Sequence, residues 1–289
     1  SYKIYCFLKS IFLEKEKVFA PLEWDSPINC KIQDLHESLY DEACRLIKVQ
    51  KFIFLYRLFP FLLLPLPSSS PIPSLLILSI LQHHYFREEP MCKSIELLND
   101  KISVNSYLNL IKTWMRDTTS LVALSINSGR VVGVAITRIN TDSEKTNIYE
   151  RNQVLTGRSL QDIILLINEV TNQSDVYVKF KQDSYFRIYI LCVHPTYKNK
   201  GVETALLRAF IQAARTMKLA AIGGVFTSGY NQLLAEQIGF KILSEIRYNR
   251  WIVNDTVVFD DPGKGNYSVA FMGKIIDYKD PKEKCKYDV

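Results

Sequence analysis

The 289-residue chain has only four histidines and four methionines, and its six cysteines stand singly at 6, 30, 44, 92, 192 and 285. No cysteine pair has the close spacing of a zinc knuckle or redox motif, and no histidine cluster stands beside one, so no metal site is predicted. Isolated cysteines suit a reducing compartment, which points to the cytoplasm. Runs of Lys or Arg never exceed two residues and the net charge is only +6, so nucleic acid is not expected as a partner. With 47% hydrophobic and 23% charged residues, disordered, collagenous and disulfide-dense classes are excluded too. The opening apolar run is broken by Lys9 and lacks a small-residue cleavage site, so it is not read as a targeting segment.

Acidic residues are missing altogether between Glu42 and Glu88. Inside that gap, residues 49–82 are 34 positions of which Leu, Pro, Ser and Phe fill 24. A spanning helix needs roughly 20 uninterrupted apolar residues. Here Arg57, Pro60, Pro65 and Pro67 divide the first run and the second, 75–81, is short, so a membrane segment is not predicted and a membrane-inserted protein is the remote alternative. Phe, Leu, Pro and Ser are the residues of pyrimidine-rich codons, Val codons begin with GT, and one Gln codon is CAG. The segment is therefore read as an intron retained in a gene product, or else as a disordered insertion. Removing it joins EACRLIK to HHYFREEP.

Elsewhere, hydrophobic periodicity sets out a mixed α/β order. A strand is expected at 29–34 and a helix at 37–48, then an acidic turn at 87–90. A helix carrying Tyr107, Ile111 and Trp114 follows, and next a hairpin of 120–127 with 130–140 across Ser128-Gly129. A helix at 159–170 leads to a buried strand at 185–195. Beyond it lie a helix at 201–217, a strand at 220–227, a short helix at 230–237 and a last hairpin. This is one α/β (α+β) domain with helices packed on a mixed, mostly antiparallel sheet. Residues 1–30 are set apart as an N-terminal extension, 31–277 as the domain interrupted by 49–82, and 278–289 as a tail.

The most informative stretch is LCVHPTYKNKGVETALLRAF, residues 191–210. A strand feeds a polar turn with Lys198, Lys200 and Gly201, and a helix begins. Free amides of a first helical turn carry partial positive charge and suit a pyrophosphate. Glycine lets the backbone come close to such a group. An ordinary solvated turn would read the same way.

This pattern resembles motif A of the GNAT superfamily of acetyltransferases, Arg/Gln-x-x-Gly-x-Gly/Ala after a V-H-P-x-Y strand end. The six positions here are Lys198, Asn199, Lys200, Gly201, Val202 and Glu203. Glu203 departs from it, with a carboxylate where the family has a small residue. If that carboxylate points into the turn it repels a pyrophosphate; if outward, it only favours the helix dipole. FAPLEWD (19–25), REEP (87–90), FTSGYNQLLAEQIGF (226–240) and PGKGNYSVAFMGKII (262–276) resemble the insect arylalkylamine N-acetyltransferase branch.

The resemblance implies a single GNAT domain with strands splayed at the cofactor site and acetyl-CoA as cosubstrate. Leu191, Cys192, Val193, Lys198, Asn199, Lys200, Gly201, Val202, Thr204 and Asn231 are then expected to bind the cofactor. It further implies Glu89 as the base that deprotonates the amine. Ser228 or Tyr230 is the expected acid for the departing sulfur, and Tyr85, Phe86 and Glu88 are the expected substrate contacts, with core packing the alternative for the two aromatics. Cys192 reads as a buried strand cysteine, since direct transfer needs no nucleophilic thiol. Tyr107 and Trp114 line an aromatic pocket or belong to the core. The expected partner is a small amine, with no membrane and a monomeric chain. An impaired or mis-assembled homologue, and a GNAT enzyme for a non-aromatic amine, remain as alternatives.

Overall fold

The computed structural model describes residues 23–27, 29–47, 84–142 and 155–276. The anomalous segment 49–82 and the tail from 278 lie outside the described residues, as does most of the N-terminal extension. Ten strands are described: β1 (Glu23–Trp24), β2 (Cys30–Asp34), β3 (Leu121–Ser125), β4 (Val131–Thr141), β5 (Ser184–Val193), β6 (Ala221–Phe226), β7 (Lys241–Arg247), β8 (Ile252–Val253), β9 (Thr256–Val257) and β10 (Ser268–Ile275). Eight form one sheet in the order β1-β2-β3-β4-β5-β6-β10-β7, and β8 with β9 makes a separate small hairpin. Every pairing in the large sheet is antiparallel except β5 with β6. Because β1 pairs with β2, the sheet starts at Glu23, inside the stretch set apart as an extension.

The helices are α1 (Tyr40–Ile47), α2 (Tyr85–Glu88), α3 (Pro90–Ser94), α4 (Lys101–Met115), α5 (Arg158–Asn172), α6 (Val176–Phe180), α7 (Val202–Thr216) and α8 (Gly229–Gln237). On one face of the sheet, α4 and α5 bury Leu110, Ile111, Met115, Leu160, Ile163 and Val170. Their apolar positions recur at helical spacing, which makes one continuous stripe. Asp100 caps α4 by accepting from the Ile102 and Ser103 amides. The Ser103 hydroxyl and these amides hold the Asp100 carboxyl below its ordinary range. On the opposite face α7 buries Val202, Leu206, Leu207, Phe210 and Ala214. Burying Phe210 contributes about 1.5–3 kcal/mol.

Two features of β5 position the site. Its register against β4 slips between Ile136 and Thr137, which leaves Tyr189 as the extra residue of a β-bulge. Bulges bend their strand and increase its twist. On the other side, the parallel ladder to β6 has only three rungs and ends at Ile188 opposite Gly224. Past that point β5 and β6 diverge, and the edge of Tyr189–Val193 that faces β6 is left to line a cleft.

Candidate active site

The cleft encloses about 300 Å³ between the diverging strands, the start of α8, the turn before α7, and α2 with α3. One wall is Ile188 through Val193, with Lys198, Asn199 and Glu203 from the turn and helix after it. The other is Val225, Phe226, Thr227, Ser228, Tyr230 and Asn231, and the far end holds His84, Tyr85, Glu88, Glu89, Pro90 and Asn266.

Glu89 owes its placement to Pro90. A proline disfavours the helical conformation in the residue before it and is at home at the first helical position. Glu89 is accordingly extended (φ −65°, ψ 128°) between α2 and α3. What the sequence suggests as an acidic turn is thus a break between two short helices. Glu89 caps the second, its Oε2 accepting from the Cys92 amide at 2.7 Å. The residue is only 6% exposed, and its other oxygen, Oε1, is buried without an N–H or O–H donor. Burial, and then the Glu89 charge, hold the Cys92 thiol well above its ordinary range. Tyr85 is likewise raised, by burial first and then by Tyr107 and Glu89.

The turn before α7 is built by two left-handed residues, Asn199 (φ 59°) and Gly201 (φ 80°). Asparagine and glycine are the residues that reach this region at least cost. His194 starts the turn, its Nδ1 accepting from the Thr196 amide at 3.3 Å. Lys198 reaches across the cleft mouth, with Nζ 3.7 Å from Glu88 Oε2. Glu203 points inward: it lines the cleft and is 5% exposed, and its Oε2 is buried without a hydrogen-bond partner. Burial raises its carboxyl above the ordinary value, against a smaller pull from its own amide and from Lys198.

On the opposite wall, Ser228 caps α8, its Oγ accepting from the Asn231 amide at 3.2 Å. This leaves the hydroxyl proton free to be donated elsewhere. Tyr230 is 46% exposed at the rim, its phenol raised by burial and by Glu203. The diverging end of β6 is stabilised without β5: Gln232 donates to the Phe226 carbonyl at 3.0 Å and to the Ser268 carbonyl at 2.9 Å. Tyr248 donates to the Thr227 carbonyl at 2.6 Å, and Asn266 accepts from the Gly229 amide at 3.1 Å.

Of the residues expected at the cofactor, Leu191, Cys192, Val193, Lys198, Asn199 and Asn231 line the cleft. Lys200, Gly201, Val202 and Thr204 are not among its walls; Lys200 is over the Tyr197 ring at 5.4 Å, and Val202, the first residue of α7, is fully buried. Tyr85 and Glu88 line the cleft, but Phe86 does not. It is 1% exposed and stacks on Tyr107 at 5.1 Å, a core residue rather than a substrate contact. The Cys192 thiol is pushed up to about 12, chiefly by burial.

Sequence reasoning did not single out Tyr189, Asn266 or Arg187. Arg187 looks like one polar position in an apolar strand, yet it is 2% exposed. Its guanidinium lies 4.8 Å from the Tyr189 ring centre and donates to Thr171 Oγ1 at 3.1 Å. With Tyr85, Tyr107, Trp114 and Tyr189 it borders a second cavity of about 20 Å³, room for about one water. Tyr107 and Trp114 are therefore both core residues and part of an aromatic wall.

No protein-family model matches the sequence, and no curated protein does. Solved structures do. Arylalkylamine N-acetyltransferase 7 of the yellow fever mosquito Aedes aegypti has a TM-score of 0.69 at 22% identity, over 90% of this chain and 98% of that one. The fold is that of the GNAT acetyltransferases. Arylalkylamine N-acetyltransferase 2 of Aedes aegypti shares this GNAT fold with a TM-score of 0.66 at 17% identity, over 86% of this chain and all of the other. Drosophila melanogaster polyamine N-acetyltransferase, which forms N-acetylagmatine, gives 0.58 at 15% over the same shares. Among the described residues no helix is long and apolar enough to cross a membrane, and no cluster of metal-ligating side chains is found.

Proposed function

We propose that the chain is an acetyl-CoA-dependent N-acetyltransferase for the primary amine of an arylalkylamine, with Glu89 as general base. The observation that carries this reading is the buried, unpartnered Oε1 of Glu89 at the cleft wall. Leaving such an oxygen unpaired is costly, and a bound ammonium or a water would satisfy it. Its partner oxygen is held by the Cys92 amide, so the carboxylate is fixed in orientation before substrate arrives.

Bound acetyl-CoA would supply an acyl thioester. The stretch Leu191, Cys192 and Val193, beyond the last rung of the β5–β6 ladder, fits its extended amide-bearing arm, and Asn231 faces it from α8. Lys198, Asn199 and the amides following Gly201 suit its phosphates, with Glu203 the residue that does not fit. Glu89 accepts the proton of the ammonium, directly or through one water. Ser228 or Tyr230 returns a proton at the opposite wall. Tyr85 and the aromatic wall behind it give an aryl group an apolar surface. Cytoplasmic location and a monomeric state go with this reading; fractionation and light scattering check them.

A second reading has one observation behind it. The charged residues lining the cleft are Glu88, Glu89 and Glu203 against Lys198, an excess of carboxylates that favours a polycationic, non-aromatic amine. Purified protein with acetyl-CoA, assayed for thiol release against dopamine, serotonin, agmatine and spermidine, separates the two. Turnover of the aryl amines alone supports the first, of the aliphatic amines alone the second, and none at all removes both.

A further inference from the structure

The turn before α7 has the shape of an anion seat, and a carboxyl group of the chain itself stands at it. Glu203 is the second residue of a 15-residue helix that begins after Gly201, so it belongs to the first turn, where the helix dipole favours negative charge, and its carboxyl interacts with its own amide. It is 5% exposed, lines the cleft, and leaves Oε2 buried without a hydrogen-bond partner. We propose that the Glu203 carboxylate occupies the phosphate seat of the free protein, and that a diphosphate-bearing thioester donor binds only once Glu203 is protonated, taking that proton from solvent. The inference rests on the acetyl-CoA reading of the cleft.

The charges around the seat explain why protonation is needed. Facing Glu203 are Lys198 from the turn, Cys192 from β5 and Tyr230 from α8. Across the cleft, α2 and its end present His84, Glu88 and Glu89. Lys198 is the one lysine among these, and its Nζ is within 3.7 Å of Glu88 Oε2. A diphosphate entering beside an ionised Glu203 would meet a like charge in a partly dry site, where repulsion is weakly screened. Burial already favours the neutral carboxyl, so the proton has a ready place. Glu203 thereby sets which donor is accepted: a thioester arm without phosphates meets no such conflict.

The test is calorimetric binding of CoA, and of phosphate-free pantetheine, to the full chain and to E203Q and E203A between pH 5.5 and 8.5. One linked proton makes CoA affinity fall about tenfold per pH unit above the titration of Glu203. The CoA phosphomonoester itself titrates near pH 6, so the difference between wild type and E203Q isolates the Glu203 contribution. The expected result is net proton uptake by wild type, seen in buffers of different ionisation enthalpy. E203Q and E203A should lose it and bind CoA more tightly at pH 8.5, with pantetheine affinity unchanged by pH or substitution. Equal CoA affinity and pH profile in wild type and both variants overturns the inference alone. Failure of cooperatively melting E203A to bind CoA at any pH overturns the acetyl-CoA reading and the inference with it.

Discussion

Ile188 and Gly224 form the last rung of the parallel ladder between β5 and β6, and a Cβ on Gly224 would collide with Ile188 Cγ2 and lie 3.0 Å from the Ile188 carbonyl oxygen. The last rung before the strands part is a close contact. The hinge of the cleft is thus a contact that only glycine permits, with the Tyr189 bulge immediately beyond it. Gly224→Ala should destabilise the fold by about 1–3 kcal/mol through overpacking and weaken CoA binding by shifting one wall. Urea unfolding and calorimetry check this; wild-type values for both would show that the rung does not set the opening.

Glu89 has a structural duty as well as the proposed chemical one, and two substitutions separate them. Glu89→Gln keeps an oxygen for the Cys92 amide, so stability and CoA affinity should stay near wild type while turnover falls about 10²–10⁴-fold with loss of the base. Glu89→Ala also removes the helix cap and should cost a further 0.5–2 kcal/mol, roughly. Equal turnover in Glu89→Gln and wild type would retire Glu89 as the base.

Cys192 is at the centre of the cleft wall, yet burial holds its thiol near 12, and only a thiolate is a useful nucleophile. Cys192→Ala should keep acetyl transfer within a few-fold of wild type. An acetylated Cys192 trapped from single-turnover reactions, seen by peptide mass spectrometry, would contradict direct transfer.

Glu203 also links stability to pH. Its carboxyl is raised above the ordinary 4.5 by burial, so the folded chain holds this proton more tightly than the unfolded one. That contribution is complete below about the ordinary value and disappears as pH rises through the raised one. Tm should therefore fall less over this window in Glu203→Gln than in wild type, and at pH 8 the variant should melt higher. Parallel melting curves across the window would count against a buried, titrating Glu203.

Much of this was legible before any coordinates. Alternation and helical spacing located β3–β5 and α7 to within a residue or two, because both faces of the sheet are covered and the pattern is strong. The REEP run led to Glu89, although not to the helix break that Pro90 imposes. Three-dimensional closure supplied the rest. Whether Glu203 points in or out depends on how α7 sits on the sheet, and no local pattern encodes that. Arg187 is hidden for a related reason: its guanidinium is buried among Tyr189, Phe271 and Thr171, partners from three elements. For Phe86 both core and pocket stayed open, because a four-residue helix is too short for periodicity to tell its core side from its cleft side.

The most direct test of the central claim is mass spectrometry of amines incubated with the purified chain and acetyl-CoA, scored against release of free CoA thiol. The expected result is acetylation of the primary amine of an arylalkylamine in step with thiol release, and its loss in Glu89→Gln. A chain that binds CoA but acetylates no amine across the aromatic and aliphatic panel would contradict it.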